Sequence, residues 1–283
     1  MAKTVFSSFK PNRNLTRDYI IVIIVSGQYN NCMDITTGPK SRLNLFGYLD
    51  ETGLLHTPAT DKVFGLGLVV CQNPRDLHRS VISYKNSRHY SKHEFKFTDI
   101  RQKNLNLYKG LIDLFFDCKN INFSCVVYDK KELNIKHYFN GDHEKAYGVF
   151  VARLVSRVLE QGQSNKSSYV VLLADDVSTK KSDRFEKVVK DKVKMRLRRN
   201  AVFGVARLES HAVAEIQVCD VLLGIVAYSF KIKFGLVKAD GAKVEIVKYL
   251  QRKLSAQRIS ETIEKRFKGG VQFSIEEYHP NKK

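Results

Sequence analysis

The stretch SSYVVLLADD, residues 167–176, constrains the fold more than any other, because its apolar residues run without alternation and then stop at two carboxylates. A strand that is apolar on both sides is buried on both sides, which is the condition of a parallel strand covered by helices. The flanking segments supply those helices. Residues 145–162 place Val151, Leu154, Val155, Val158 and Leu159 in one stripe with Gly162 as a C-terminal stop, and residues 183–199 place Phe185, Val188, Val189 and Val193 on one face.

Upstream, LNLFGYLD (43–50) and VFGLGLVVC (63–71) are strand candidates, the second with Gly65 and Gly67 permitting close approach or a bend. EFKFT (94–98) has a period of two and predicts a third strand. Leu107, Leu111, Leu114 and Phe115 predict a helix, and INFSCVVYD (121–129) another strand. Downstream come a strand over 201–208, a long apolar helix over 212–231 and a charged helix over 244–267 carrying Val247, Leu250, Leu254, Ile259, Ile263 and Phe267. The pattern predicts an α/β domain over 43–231, a mixed sheet flanked by helices, with a C-terminal helical addition over 232–283. Residues 1–42 read as an N-terminal extension whose run Tyr19–Val25 is a possible added strand, far short of the roughly 20 residues of a membrane span. No membrane association is expected. The last helix is a possible homodimer contact, with packing on the main domain the alternative.

In sheets of this class ligands gather beyond the carboxyl ends of the strands, and there the acids stand. Asp50 and Glu51 close one strand, Asp129 another, and Asp175 with Asp176 a third; Glu94 opens the EFKFT segment. Asp220 interrupts the apolar helix AEIQVCDVLLGIVAY, where an ionised group needs compensation. A lone acid at a strand end is ordinarily a turn former or cap. Several brought together repel one another, and a hard divalent cation, magnesium or manganese, resolves the repulsion by taking oxygen ligands. Such ions support phosphodiester cleavage by water.

Charge gives the partner. The 283-residue chain carries 48 Lys and Arg against 29 Asp and Glu, a formal net charge of +19, which favours a polyanion and nucleic acid first among them. Lys187, Lys190, Lys194, Arg198 and Arg199 form a basic row suited to a phosphate backbone, with a solvated face as the alternative. Lys96 shares a face with Glu94 at strand spacing, and reads either as a phosphate contact or as that acid's ion-pair partner. His78, His89 and His93 read as surface residues. Five cysteines without a C-x-x-C pair exclude a disulfide framework or zinc knuckle and point to a reducing, cytoplasmic setting. No P-loop or G-x-S-x-G turn occurs.

The motifs YLDETG, HEFKFTDI, VVYDKKEL, LLADD and SHAVAEIQVCDVLLGIVAYSFK occur in the order and approximate spacing of the domain of unknown function 3800 family, which the chain resembles over residues 44 to 231. That resemblance implies a ribonuclease H-like fold and metal-dependent phosphoryl chemistry. It assigns the matched acids as Asp50, Glu94, Asp129 and Asp220, with either Asp175 or Asp176 facing the site. Thr52 and Cys219 stand where the family has serine and alanine. The expectation is a metal-dependent nuclease; a non-catalytic binding module on the same fold and a strand-transfer enzyme are the alternatives.

Overall fold

The computed structural model describes residues 44–55, 62–161, 168–175, 184–239 and 241–280, all within the compact unit of residues 39–283. The expected N-terminal extension, with its Tyr19–Val25 run, lies outside the described residues, as do Gly162 and Asp176.

Among the described residues seven strands form one sheet: β1 (Asn44–Thr52), β2 (Val63–Cys71), β3 (Ile121–Asp129), β4 (Tyr169–Asp175), β5 (Val202–Leu208), β6 (Ile263–Arg266) and β7 (Gln272–Glu277). Their order is β5-β4-β1-β2-β3-β7-β6. β1, β2 and β3 form an antiparallel meander, and β4 and β5 extend it parallel to β1. This is the mixed sheet that the strand and helix pattern predicts, and it is consistent with the ribonuclease H-like fold that the resemblance implies. The meander's third strand is β3, however, and not the EFKFT segment.

Seven α-helices among the described residues cover the sheet. One apolar core packs α1 (Pro74–Ser87), α2 (Leu105–Asp117), α6 (Ala214–Lys233) and α7 (Gly241–Lys253) on one face. The other face carries α3 (Ile135–Phe139), α4 (His143–Gln161) and α5 (Arg184–Leu197). None of these helices is long and apolar enough to cross a membrane. α6 is the central one: buried on nearly every side from Ala214 to Phe230, it lies across β1, β2 and β3. Gly67 lets it approach. A Cβ there would stand 3.1 Å from both the Cys219 Sγ and the Leu223 Cβ, so a side chain at 67 would crowd α6 at the register position opposite Asp50.

Two segments depart from their sequence patterns. Residues 94–98 have no strand partner among the described residues; their alternation is real, with Phe95 fully buried and Lys96 exposed, but the chain passes into a 3-10 turn at Phe97–Asp99. The anchor is Phe95, whose ring lies 5.0 Å from Tyr90, 5.5 Å from Tyr108 and 6.4 Å from Tyr84. The helix expected over 244–267 ends at Lys253. Ser255 turns left-handed (φ 46), with its N–H donating to Arg252 and that of Ala256 donating to Gln251. This is a Schellman closure built on serine where glycine is the usual signal. The chain then returns as β6 and β7, and β7 joins the sheet parallel to β3, so the C-terminal region extends the sheet as well as adding a helix. Ile246, Val247 and Leu250 of α7 are buried against the main core.

Candidate acidic site

Adjacent residues of a strand face opposite sides of the sheet. Asp50 therefore points with Tyr48 toward α6, and Glu51 points away with Leu49. Along β4, parallel to β1, Leu49 is in register with Ala174, so the next residues, Asp50 and Asp175, stand side by side about 4.8 Å apart at the backbone. From above, α6 delivers Asp220. Carboxylates from β1, β4 and α6 thus face one region at the carboxyl end of the parallel strands, within electrostatic reach of one another, with Glu94 and Lys96 beside Asp220 on the Phe95-anchored segment.

Electrostatics register the convergence. Asp50 is 7% exposed, and its carboxyl is raised well above the usual range, first by burial and then by the Asp220 charge, with Asp175 adding to it. Asp220 is pushed up to about 7, chiefly by burial, with Glu94 and Asp175 raising it while the Phe97 N–H and Lys96 act to lower it. Asp175 Oδ1 accepts from Ser210 N–H at 3.1 Å. Lys96 Nζ is 3.1 Å from Glu94 Oε2, and that hydrogen bond raises the lysine, with the Asp220 and Asp175 charges acting in the same direction. Both sequence readings of Lys96 therefore remain compatible with its place: it pairs with Glu94 and is 46% exposed beside the acids.

Other expected ligands go elsewhere. On the α4 side of the sheet, Glu51 accepts a hydrogen bond from Tyr147; burial lifts it to about 7 although Arg207 opposes this. It cannot share a cation with Asp50 because strand alternation separates them. Nor does Asp129 reach the group. Its β3 register neighbour at the Asp50 level is Cys125, which leaves Asp129 two strands across and about 13 Å further along the sheet. There its Oδ1 caps the following 3-10 turn by accepting from Lys131 N–H at 2.9 Å. Asp129→Ala should consequently lower stability by about 1 kcal/mol, the worth of a cap, and leave any chemistry at Asp50 within twofold. Thermal melts and rate measurements on the same variant check both.

The basic row does not flank the acids either. Phe185, Val189 and Val193 seat α5 on the sheet face opposite α6, so Lys187, Lys194 and Arg198 are exposed behind the site. Lys190 pairs with Glu186 at 2.6 Å, and the Arg199 guanidinium donates to the Ser168 carbonyl. His89 and His93 are exposed, and His78 Nδ1 stands 3.3 Å from Glu215 Oε1.

Among the described residues no three acidic, histidine or cysteine side chains are gathered at the spacing of a formed metal site. The donor set nevertheless fits a hard divalent cation. It consists of carboxylate oxygens alone, and Asp50, the most buried, takes only a backbone N–H, that of Glu51, among the effects that lower it. Sequence reasoning missed the groups that hold these acids, the Ser210 and Phe97 N–H donors, and gave no role to the buried Gln217. Backbone donors leave no mark in a sequence. Gln217, three residues before Asp220 and hence near its face of α6, had a detectable one. Neither protein-family models nor curated proteins give a match to this chain.

Proposed function

We propose that this protein is a metal-dependent nuclease in which Asp50, Asp175 and Asp220, with Glu94, hold magnesium or manganese. The observation that carries this reading is the burial of Asp50 against Asp220, two acids from a central strand and a core helix, where burial and the Asp220 charge together hold the Asp50 carboxyl well above its usual range. Like charges so placed are a feature of functional sites more than of structural ones. The likeness of five motifs to the domain of unknown function 3800 family and the ribonuclease H-like sheet support it further.

When bound, the cation supplies charge neutralisation at the scissile phosphate and an activated water. The chain does the rest. Asp50 and Asp175, fixed on neighbouring strands, set the spacing of the donors, while Asp220 closes the site from above. Glu94 would be a further ligand to the cation, and Lys96, its present partner, would then be free to hold a phosphate oxygen. A nucleic-acid strand would run past Lys96 beside the acids, and the α5 row, on the opposite face of the sheet, would be reached only by nucleic acid long enough to pass around the sheet. A reducing, cytoplasmic setting is part of the proposal, on the ground of the cysteine spacing.

The test is hydrolysis of end-labelled single- and double-stranded RNA and DNA with magnesium, manganese or chelator. Cleavage that needs metal and disappears in Asp50→Ala and Asp220→Ala is expected. A mobility shift without cleavage that survives both substitutions would establish a binding module instead, and joined products would establish strand transfer.

A further inference from the structure

The side chain of Gln217 sits where three parts of the molecule meet. Its Oε1 accepts from the Lys85 ammonium at 3.2 Å and from Phe95 N–H at 3.1 Å. Its Nε2 donates to the carbonyls of Ser210 at 3.0 Å and His211 at 3.4 Å. Gln217 is 1% exposed and Lys85 6%. The orientation of the amide follows from its neighbours: flipped, it would set N–H groups against an ammonium and an N–H, and its oxygen against two carbonyls. An amide is the side chain that accepts on one atom and donates twice from another while carrying no charge.

Two of these contacts, to Phe95 and to Ser210, lead to the acids. Phe95 lies between Glu94 and Lys96 and two residues before the Phe97 N–H that binds Asp220. Ser210, whose carbonyl Gln217 holds, gives its own N–H to Asp175. Gln217 itself is three residues from Asp220 on α6. Hydrogen bonds to buried polar groups with all partners satisfied fix a single arrangement, and a half-satisfied network does not.

We infer that Gln217 is the positioning residue of the acidic site, its one amide setting the place of the Glu94–Phe97 segment and of the Ser210–Ala212 turn around Asp220. This rests on the nuclease reading for its purpose, but not for its test. Gln217→Glu keeps an oxygen for Lys85 and Phe95 and turns a second oxygen against the Ser210 and His211 carbonyls. Amide hydrogen exchange of the full chain, read residue by residue by NMR, should show Ser210 exchanging at least about tenfold faster while Phe95 stays protected, as expected when a buried hydrogen bond is replaced by repulsion. Manganese affinity, measured by titration calorimetry, should fall about tenfold, the scale for loss of a supporting partner.

Unchanged exchange at Ser210 in the folded variant would overturn the inference. Should Gln217→Glu not fold, Lys85→Met examines the other half: faster exchange at Phe95 with Ser210 unaltered is expected, and no change at either overturns it. If the unmodified protein takes up no manganese, the nuclease reading falls, and the exchange result still decides the role of Gln217.

Discussion

Asp220→Asn should abolish metal-dependent cleavage and at the same time make the metal-free protein more stable at pH 8. The loss of rate should exceed the roughly 10–100-fold that removal of a supporting partner costs. The gain in stability follows from the sign of the shift. Asp220 titrates near 7 in the folded protein against a reference of 3.8, so the folded state binds the proton more tightly. The stability associated with that proton is fully present below pH 3.8, declines as pH rises, and is gone above about 7. Asparagine keeps an oxygen for the Phe97 N–H and removes the charge. The expected gain at pH 8 is on the order of 2 kcal/mol, roughly 5 °C in melting temperature for a domain of this size, and it should vanish near pH 4. Manganese should raise the melting temperature of the unmodified protein far more at pH 8 than at pH 5, because the cation competes with the proton. An Asp220→Asn variant that melts lower than the parent at pH 8 would mean the carboxylate is stabilising, against the repulsion on which the site rests.

Gly224→Ala should destabilise the fold by about 3 kcal/mol, at the upper end for overpacking, in a helix interior where the same exchange ordinarily stabilises by about 1 kcal/mol. A Cβ at 224 would stand 2.3 Å from the Cβ and Cγ of Phe97. These atoms are held near the backbone, so relief requires moving the chain at Phe97 and not merely a rotamer. That displacement withdraws the N–H from Asp220 and carries Lys96 and Glu94 with it. Denaturant unfolding measures the first effect; calorimetric manganese titration of the folded fraction measures the second, with weaker binding expected. A neutral or stabilising Gly224→Ala would show that Phe97 packs elsewhere and that the segment from 94 to 97 is not fixed by α6.

The residues that made the site legible share one property: their type was wrong for their surroundings. Asp220 was visible as a charge in an apolar helix, and Asp50 and Asp175 as acids closing apolar strands. Asp129 and Glu51 showed the same local signal and proved to be a turn cap and an opposite-face residue. Nothing in a linear pattern separates these cases, because a cap and a ligand both place an acid at a strand end. The EFKFT segment failed for a related reason. Alternating burial is common to any extended chain lying on a core, whereas a strand also needs a partner for its backbone, and β2 is paired on both sides by β1 and β3. The end of α7 was hidden because serine occupies the left-handed position.

The sequence by itself determined the α/β class, the apolar faces, the basic surplus and the identity of the acids, since each depends on residue type and local period. Only the tertiary structure decided which acids meet. Register between β1 and β4 and the close seat of α6 on Gly67 bring Asp50, Asp175 and Asp220 together across 170 residues of chain, counted from Asp50 to Asp220. Convergence of that kind is a property of non-local pairing. It is set by strand order and by backbone donors such as Phe97 and Ser210, which every residue but proline carries alike.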